Sequence, residues 1–402
     1  MSPTAARVQS SLCEEVLGKH ARWRRDVVAV RQLVPDSDDR TTTYGELPAL
    51  VMQAVELVEC CGVGRGERLA FVGDNSLEHV VLLLAASLQG FVVVQLDALQ
   101  SPQAWAEMIR DAQANRFFVA PEIARTFDVN DSSHRLLMKT AVTFRLVLPS
   151  EEETQEAASK IKAKLRASPG SLEDPWAILY TSGTTSGRKK GVVRNQRGTL
   201  TGIFGHFAHM DMRPDDVYLL IYPSHGMSTF FFSMMALFHG ASCVLVPRAR
   251  AGDGLFLLQA LERHEITFTT GGPSHLMSIV EAAKVTNSEF RAPNLRNIIS
   301  SGAMCPKVMQ DEIREFFSQT AFFDVYGSTE LGIISILGPE EKNVGAGTVG
   351  REASGVPSIL LLDPETGEEV ETEGEIAATT PMRMIEYWQR PDLDKSSVTE
   401  NG

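Results

Sequence analysis

The chain has 402 residues, more than one hydrophobic core ordinarily serves, so two or more packed units are expected. Its composition, 43% hydrophobic and 22% charged, is that of an ordinary globular protein, and a net charge of −13 argues against a general nucleic-acid or anionic-membrane surface. Five cysteines (Cys13, Cys60, Cys61, Cys243 and Cys305), without CxxC or Cys/His metal spacing, fit a reduced, cytoplasmic setting.

Residues 2–25 alternate charge and small side chains and lack the apolar centre of a signal peptide. The pattern over 11–33 predicts an amphipathic helix leading into a strand at Val27, Val28 and Val30. Thr43, with Glu46 three residues on, marks the start of a second helix running to about Cys61. After a glycine-rich turn, 68–73 reads as a buried strand, 77–88 as a helix and 91–96 as an apolar strand of the parallel-sheet type. The apolar stretch 79–96 is broken at Gln89-Gly90 and is too short to span a bilayer. A helix over 103–114 and a strand over 116–119 continue the alternation, and the charged run 151–167 reads as a solvated connector.

Beyond it come a strand over 176–180, helices over 198–210, 227–238 and 255–264, and strands over 217–221, 241–246, 266–270, 297–300 and 321–326. This rhythm implies doubly wound α/β architecture. After Gly345 short strands with Gly, Pro and Glu turns (358–363, 374–378) suggest a small β unit. The expected fold is therefore α/β, with two doubly wound βαβ subdomains (1–170 and 171–345) and a small β-barrel-like subdomain (346–402).

The chemistry concentrates in Tyr180 to Val193, YTSGTTSGRKKGVV. Glycines let backbone N–H groups approach a ligand, hydroxyls donate to oxyanions, and cations balance phosphate. A solvated surface hairpin has the same composition, and no helix-opening GK[ST] follows as a P-loop requires. Ligands of doubly wound sheets sit at the carboxyl ends of strands. The other loops so placed are 222–228, 271–274, 301–304 and 326–330.

The hydroxyl-rich segment resembles the signature loop of the adenylate-forming superfamily (acyl- and aryl-CoA ligases, adenylation domains, luciferases), written Y-T-S-G-T-T-G-x-P-K-G-V. Tyr180 to Thr185 match in order, and Gly187, Lys190, Gly191 and Val192 match after one gap; Ser186 is an extra residue and Lys189 stands at the usual proline. Tyr326-Gly327-Ser328-Thr329-Glu330 matches the superfamily's Y-G-x-T-E, Ser301-Gly302-Ala303 resembles SGGAPL, and Gly272-Pro273-Ser274 resembles GVPS. His225 resembles the histidine of P-x-x-H-x-x-G, with one residue fewer after Pro223.

The resemblance implies ATP- and Mg²⁺-dependent activation of a small carboxylic acid to an acyl-AMP, then transfer to CoA or a pantetheine thiol. Thr181, Ser182, Gly183, Thr184, Thr185, Gly187 and Lys190 would hold phosphates. Ser301, Gly302, Ala303, Asp324, Tyr326 and Gly327 would surround the nucleotide, with Thr329 on the α-phosphate and Glu330 on the metal. His225 would gate the acid, and Thr229, Phe230, Gly271, Gly272, Ser301, Gly327 and Ser328 would line its pocket. A Phe/Met helix is more often a core helix, and a loop histidine or an exposed turn carboxylate needs no ligand. Carrier-protein loading and ATP sensing without chemistry remain alternative readings; no nucleic-acid or membrane partner is expected. In the superfamily a W-x-x-T-G-D segment, a hinge and a small domain with a catalytic lysine follow Glu386-Tyr387-Trp388-Gln389-Arg390-Pro391. This sequence ends at Gly402 before them, so a stretch cut ahead of its lid, with weak turnover, is expected.

Overall fold

The computed structural model describes residues 10–128, 131, 137–167, 171–181, 189–286, 292–341 and 347–398, except the side chains of Phe207 and Ala208. The apolar, β-branched runs form strands β1 (Val28–Gln32), β2 (Arg40–Thr43), β3 (Arg68–Gly73), β4 (Val92–Asp97), β5 (Arg116–Val119) and β6 (Ala141–Thr143). They continue as β7 (Pro175–Thr181), β8 (Lys190–Asn195), β9 (Val217–Leu220), β10 (Ser242–Leu245), β11 (Phe268–Gly271) and β12 (Asn297–Ser300). The last are β13 (Ala321–Ser328), β14 (Gly332–Leu337), β15 (Arg351–Glu352), β16 (Ser358–Leu362) and β17 (Glu375–Thr379).

One sheet has the order β6-β5-β3-β4-β7-β8 and a second the order β15-β14-β13-β12-β11-β9-β10-β1-β2. In the first, only β8 is antiparallel, paired with β7 so that Thr181 faces Lys190. In the second, β1 and β9 to β13 are parallel, while at its edges β2 pairs antiparallel with β1, β14 with β13 and β15 with β14. β16 and β17 pair with each other as a two-stranded antiparallel sheet.

The sheets do not follow a division at residue 170. β7 and β8 stay with β4, while β1 and β2 leave the N-terminal stretch and join β10. The physical reason is tertiary: Val30 pairs with Cys243, and the buried Tyr44 hydroxyl donates to the Ala241 carbonyl at 2.6 Å. The expected N-terminal helix is also shorter than the pattern suggests, a π-helical run Glu14–His20 continued by Ala21–Trp23.

Helices fill three layers. Leu47–Cys60, Leu77–Gln89 and Met227–His239 lie between the sheets, where Phe71 and Leu179 of one meet Tyr218 and Leu245 of the other in a single core. Every residue from Leu77 to Leu88 is buried, as expected of a helix apolar on all sides. Ser76 caps it and Gly90, at φ +80°, closes it in a conformation that suits glycine. Helices Gly254–Arg263 and Pro273–Val285 cover the outer face of the larger sheet, and Pro102–Asp111 that of the smaller. The loops that follow β9, β11 and β12 meet around Tyr222, His275 and Ser301, Asp97 at the end of β4 faces His225 of the first of these loops, and the β7–β8 hairpin meets the turn after β13 through Tyr387.

Candidate active site

The β7–β8 hairpin carries the hydroxyl-rich segment. Ser182, Gly183, Thr184, Thr185 and Gly187 lie outside the described residues, but the hairpin base is well defined. Trp176 to Leu179 and Val192-Val193 are buried, which fixes the register that sets Thr181 opposite Lys190. The Lys190 ammonium stands 5.3 Å from the centre of the Tyr387 ring.

The Tyr387 hydroxyl in turn donates to Glu330 Oε1 at 2.8 Å. Lys190 and Glu330, 140 positions apart in the sequence, therefore meet across one aromatic side chain. Burial and the Glu330 carboxylate both push the Tyr387 phenol above its ordinary range. The turn bearing Glu330 is held from below by Arg194 of β8, whose Nη1 donates to the carbonyls of Thr329 (3.4 Å) and Glu330 (3.3 Å). Arg194 is 1% exposed; burial lowers its pKa to about 10, with the Glu330 charge opposing the shift. The Met384 amide adds a bond to the Glu330 carbonyl at 2.5 Å.

Gly327 is required by this turn, because a Cβ there would lie 2.1 Å from the Gly332 carbonyl oxygen as β13 folds back into β14. Tyr326 is 39% exposed, leaving its ring open to a ligand. Tyr326, Gly327 and Ser328 line a cavity of about 360 Å³ with Leu331, Ile334, Glu375 and Ile376. Ser328 Oγ accepts from the Leu331 amide at 3.1 Å, which shapes the turn.

A second group gathers around Tyr222. Its hydroxyl donates to the Ser301 carbonyl and accepts from Ser301 Oγ at 3.2 Å. Its ring meets His275 edge-on at 5.7 Å, and His275 Nδ1 accepts from the Gly272 amide at 3.2 Å. Gly271, Gly272, Ser301 and Gly302 are thus brought together, and the Ser301 amide donates to the Gly271 carbonyl at 3.3 Å. Ala303 follows on the exposed side. Asp324 lies beneath, 9% exposed, with Oδ2 accepting from Gln310 at 3.3 Å. Burial raises its pKa to about 6, tempered by the nearby Ser300 hydroxyl and the Arg314 charge.

His225 faces Asp97, the last residue of β4, at 3.5 Å, and Arg248 reaches the same carboxylate at 3.3 Å. Burial drives the His225 pKa down to about 4; Asp97 opposes that shift, while Arg248 and Lys189 reinforce it. The imidazole is therefore uncharged at neutral pH. Its loop is pinned by buried Asn75, which donates to the carbonyls of Tyr222 and Val246, both at 2.8 Å, and accepts from the Ser224 amide at 2.6 Å.

Two residues expected in an acid pocket are engaged elsewhere. Thr229 is buried and gives its hydroxyl to the Tyr222 carbonyl at 2.6 Å. Phe230 is fully buried with its ring 4.9 Å from Trp176, so it belongs to the core between the sheets and not to an open pocket. Conversely, sequence reasoning gave no role to Arg194, Tyr387, Asp97 or Arg248. The one signal for Arg194 was a charge placed directly after the apolar pair Val192-Val193.

The family model for AMP-binding enzymes matches residues 17–388. The chain is 25% identical to 4-coumarate–CoA ligase 2 of Oryza sativa subsp. japonica over 395 residues, covering 92% of this chain and 68% of that one. Its fold is similar to that of apo MatB from Rhodopseudomonas palustris, with a TM-score of 0.79 at 23% identity, covering 98% of this chain and 74% of that chain. It is also similar to the N-terminal domain of FACL13 from Mycobacterium tuberculosis, with a TM-score of 0.80 at 18% identity, covering 97% and 94%. The family match, the CoA-ligase relatives and the signature motifs at Tyr180 and Tyr326 agree, and the chain belongs to the AMP-binding enzymes of the adenylate-forming superfamily, with acyl- or aryl-CoA ligase-like character.

Proposed function

We propose that this protein activates a small carboxylic acid with ATP, forming an acyl-AMP and pyrophosphate, and that the acyl group then passes to the thiol of CoA. The observation that carries the proposal is the meeting of Lys190 and Glu330 across Tyr387, which sets a cation and a hard carboxylate oxygen at one edge of the cleft.

The acid's oxygen attacks the α-phosphorus in line as the bond to pyrophosphate breaks. Such a displacement depends on positioning and charge stabilisation. Lys190 balances the departing pyrophosphate, assisted by the hydroxyls between Thr181 and Lys189. Thr329 donates to the α-phosphate. The Tyr326 ring and the Ser301–Ala303 backbone flank the adenine, with Asp324 below them. His225, uncharged, meets the incoming carboxylate without adding a competing cation. Gly271, Gly272, Gly327 and Ser328 line the acid's approach.

Glu330 suits Mg²⁺. Among the described residues no group of three or more His, Cys, Asp or Glu side chains could hold a metal, so the ion would rest on this carboxylate, the phosphates and water, as Mg²⁺ ordinarily does. When bound, Mg²⁺ neutralises the charge developing on the phosphate oxygens. The five free cysteines are consistent with a cytoplasmic setting, and among the described residues no helix is long and apolar enough to cross a membrane.

The test is acid-dependent exchange of labelled pyrophosphate into ATP across a panel of carboxylic acids, with free CoA and a pantetheine-bearing carrier protein compared as acceptors. Exchange with at least one acid is expected, with CoA the better acceptor. ATP binding without exchange on any acid would favour a nucleotide sensor instead.

A further inference from the structure

Among the described residues, the Tyr387 hydroxyl is the one hydrogen-bond donor to the Glu330 carboxylate. Arg194, wholly buried, spends its observed hydrogen bonds on the two carbonyls of the same turn, and its Nε finds no partner. A guanidinium withdrawn from water without a carboxylate bonded to it is a poor source of stability, and an aliphatic side chain would fill that core position at lower electrostatic cost. Glu330 is the charge that favours keeping it protonated. Two chain segments 193 positions apart, β8 and the segment after β17, thus converge on one turn, the first on its backbone and the second on its carboxylate, and no hydrogen bond to the second carboxylate oxygen is seen among the described residues.

We infer that Tyr387 and Arg194 are positioning residues for Glu330: Arg194 fixes the backbone of the turn, and Tyr387 fixes Oε1 so that Oε2 faces the cleft. This rests on the proposed role of Glu330 toward Mg²⁺. Partners in the outer shell of a metal ligand act by restricting its orientation, so the metal meets a carboxylate already placed. Lys190, over the Tyr387 ring, ties the phosphate-facing cation to the same support.

The experiment is calorimetric titration of the 402-residue protein with ATP, once in Mg²⁺ and once in EDTA, taking the ratio of the two affinities. Tyr387→Phe is expected to reduce that Mg²⁺-dependent gain about tenfold while leaving affinity in EDTA within about twofold of wild type. Glu330→Gln should abolish the gain, and adding Tyr387→Phe to it should change nothing further. Arg194→Met should reduce the gain without a comparable loss of thermal stability, and Arg194→Lys should recover the gain only in part because its ammonium does not reproduce the guanidinium's shape and reach. Tyr387→Phe protein with an undiminished gain, or with equal losses in Mg²⁺ and EDTA, overturns the inference while the function stands. Wild-type protein that gains nothing from Mg²⁺ overturns both.

Discussion

At one end of the site, Lys190 and Glu330 are half-exposed ionic groups joined through the buried Tyr387. At the other, around Tyr222 and Ser301, polar atoms are tied to backbone groups, and beside them the neutral His225 faces Asp97, whose charge is already paired with Arg248. The contrast follows from the ligands each end faces. A triphosphate arrives with its own large charge, and ions that can meet it must be kept available. An acid that has to present a reactive carboxylate is better met by fixed dipoles in a dry pocket. The comparison therefore separates two kinds of damage. Changes at the phosphate end should cost activity and spare the fold, whereas changes at the acid end should cost the fold as well.

The largest expected effect is on activity. Glu330→Gln should lower kcat/KM for pyrophosphate exchange about 10²- to 10³-fold, as for loss of one preorganised charge-stabilising group, with the melting temperature nearly unchanged. A comparable loss of thermal stability would place Glu330 among structural residues. Next comes Asn75→Ala, which strands the Ser224 amide and the Tyr222 and Val246 carbonyls. It should cost about 2–4 kcal/mol in urea unfolding and impair binding of the acid more than of ATP.

Acidification should act through the buried histidines. His79, His206 and His225 are pushed down to about 3, 4 and 4, chiefly by burial. Each is neutral in the folded protein, so its contribution is complete above the ordinary histidine value of 6.5. It is lost as the pH falls from there toward 4. Asp324, raised to about 6, works in the opposite sense: its contribution is present below its ordinary value of 3.8 and fades as the pH rises through 6. Burial likewise lowers His20, His264 and His275 and raises Asp74 and Glu122, so six lowered histidines oppose three raised carboxylates and melting temperatures should fall between pH 6.5 and 4; a rise over that interval would contradict this. The smallest effect is expected from Phe230→Leu. It should cost about 1–3 kcal/mol of stability through imperfect filling beside Trp176 and leave the KM for the acid unchanged.

The alternation of strands and helices was legible because apolar runs such as those of β3, β4 and β7 are short, continuous and closed by Gly, Asp or Thr. The partners of each strand were not legible. Nothing local in Val28 to Gln32 says that it will lie beside β10, or that the hydroxyl-rich loop returns antiparallel as β8. At the site, the two motifs at Tyr180 and Tyr326 indicated which residues matter, but not what joins them. Tyr387 stands in a motif that drew attention through its neighbours, and its contact with Glu330 exists only in the folded chain. Phe230 illustrates the converse. In a helix apolar on every side, periodicity cannot tell a pocket wall from a core residue, and here the core interior won.

In the proposed mechanism Lys190 and Glu330 act on one triphosphate. A double-substitution cycle reads this directly: ATP affinity in Mg²⁺ for wild type, Lys190→Met, Glu330→Gln and the pair together, by equilibrium dialysis. Both single changes should weaken binding, and the pair should lose clearly less than the sum of the two. Strictly additive losses, or ATP binding indifferent to both substitutions, would contradict it.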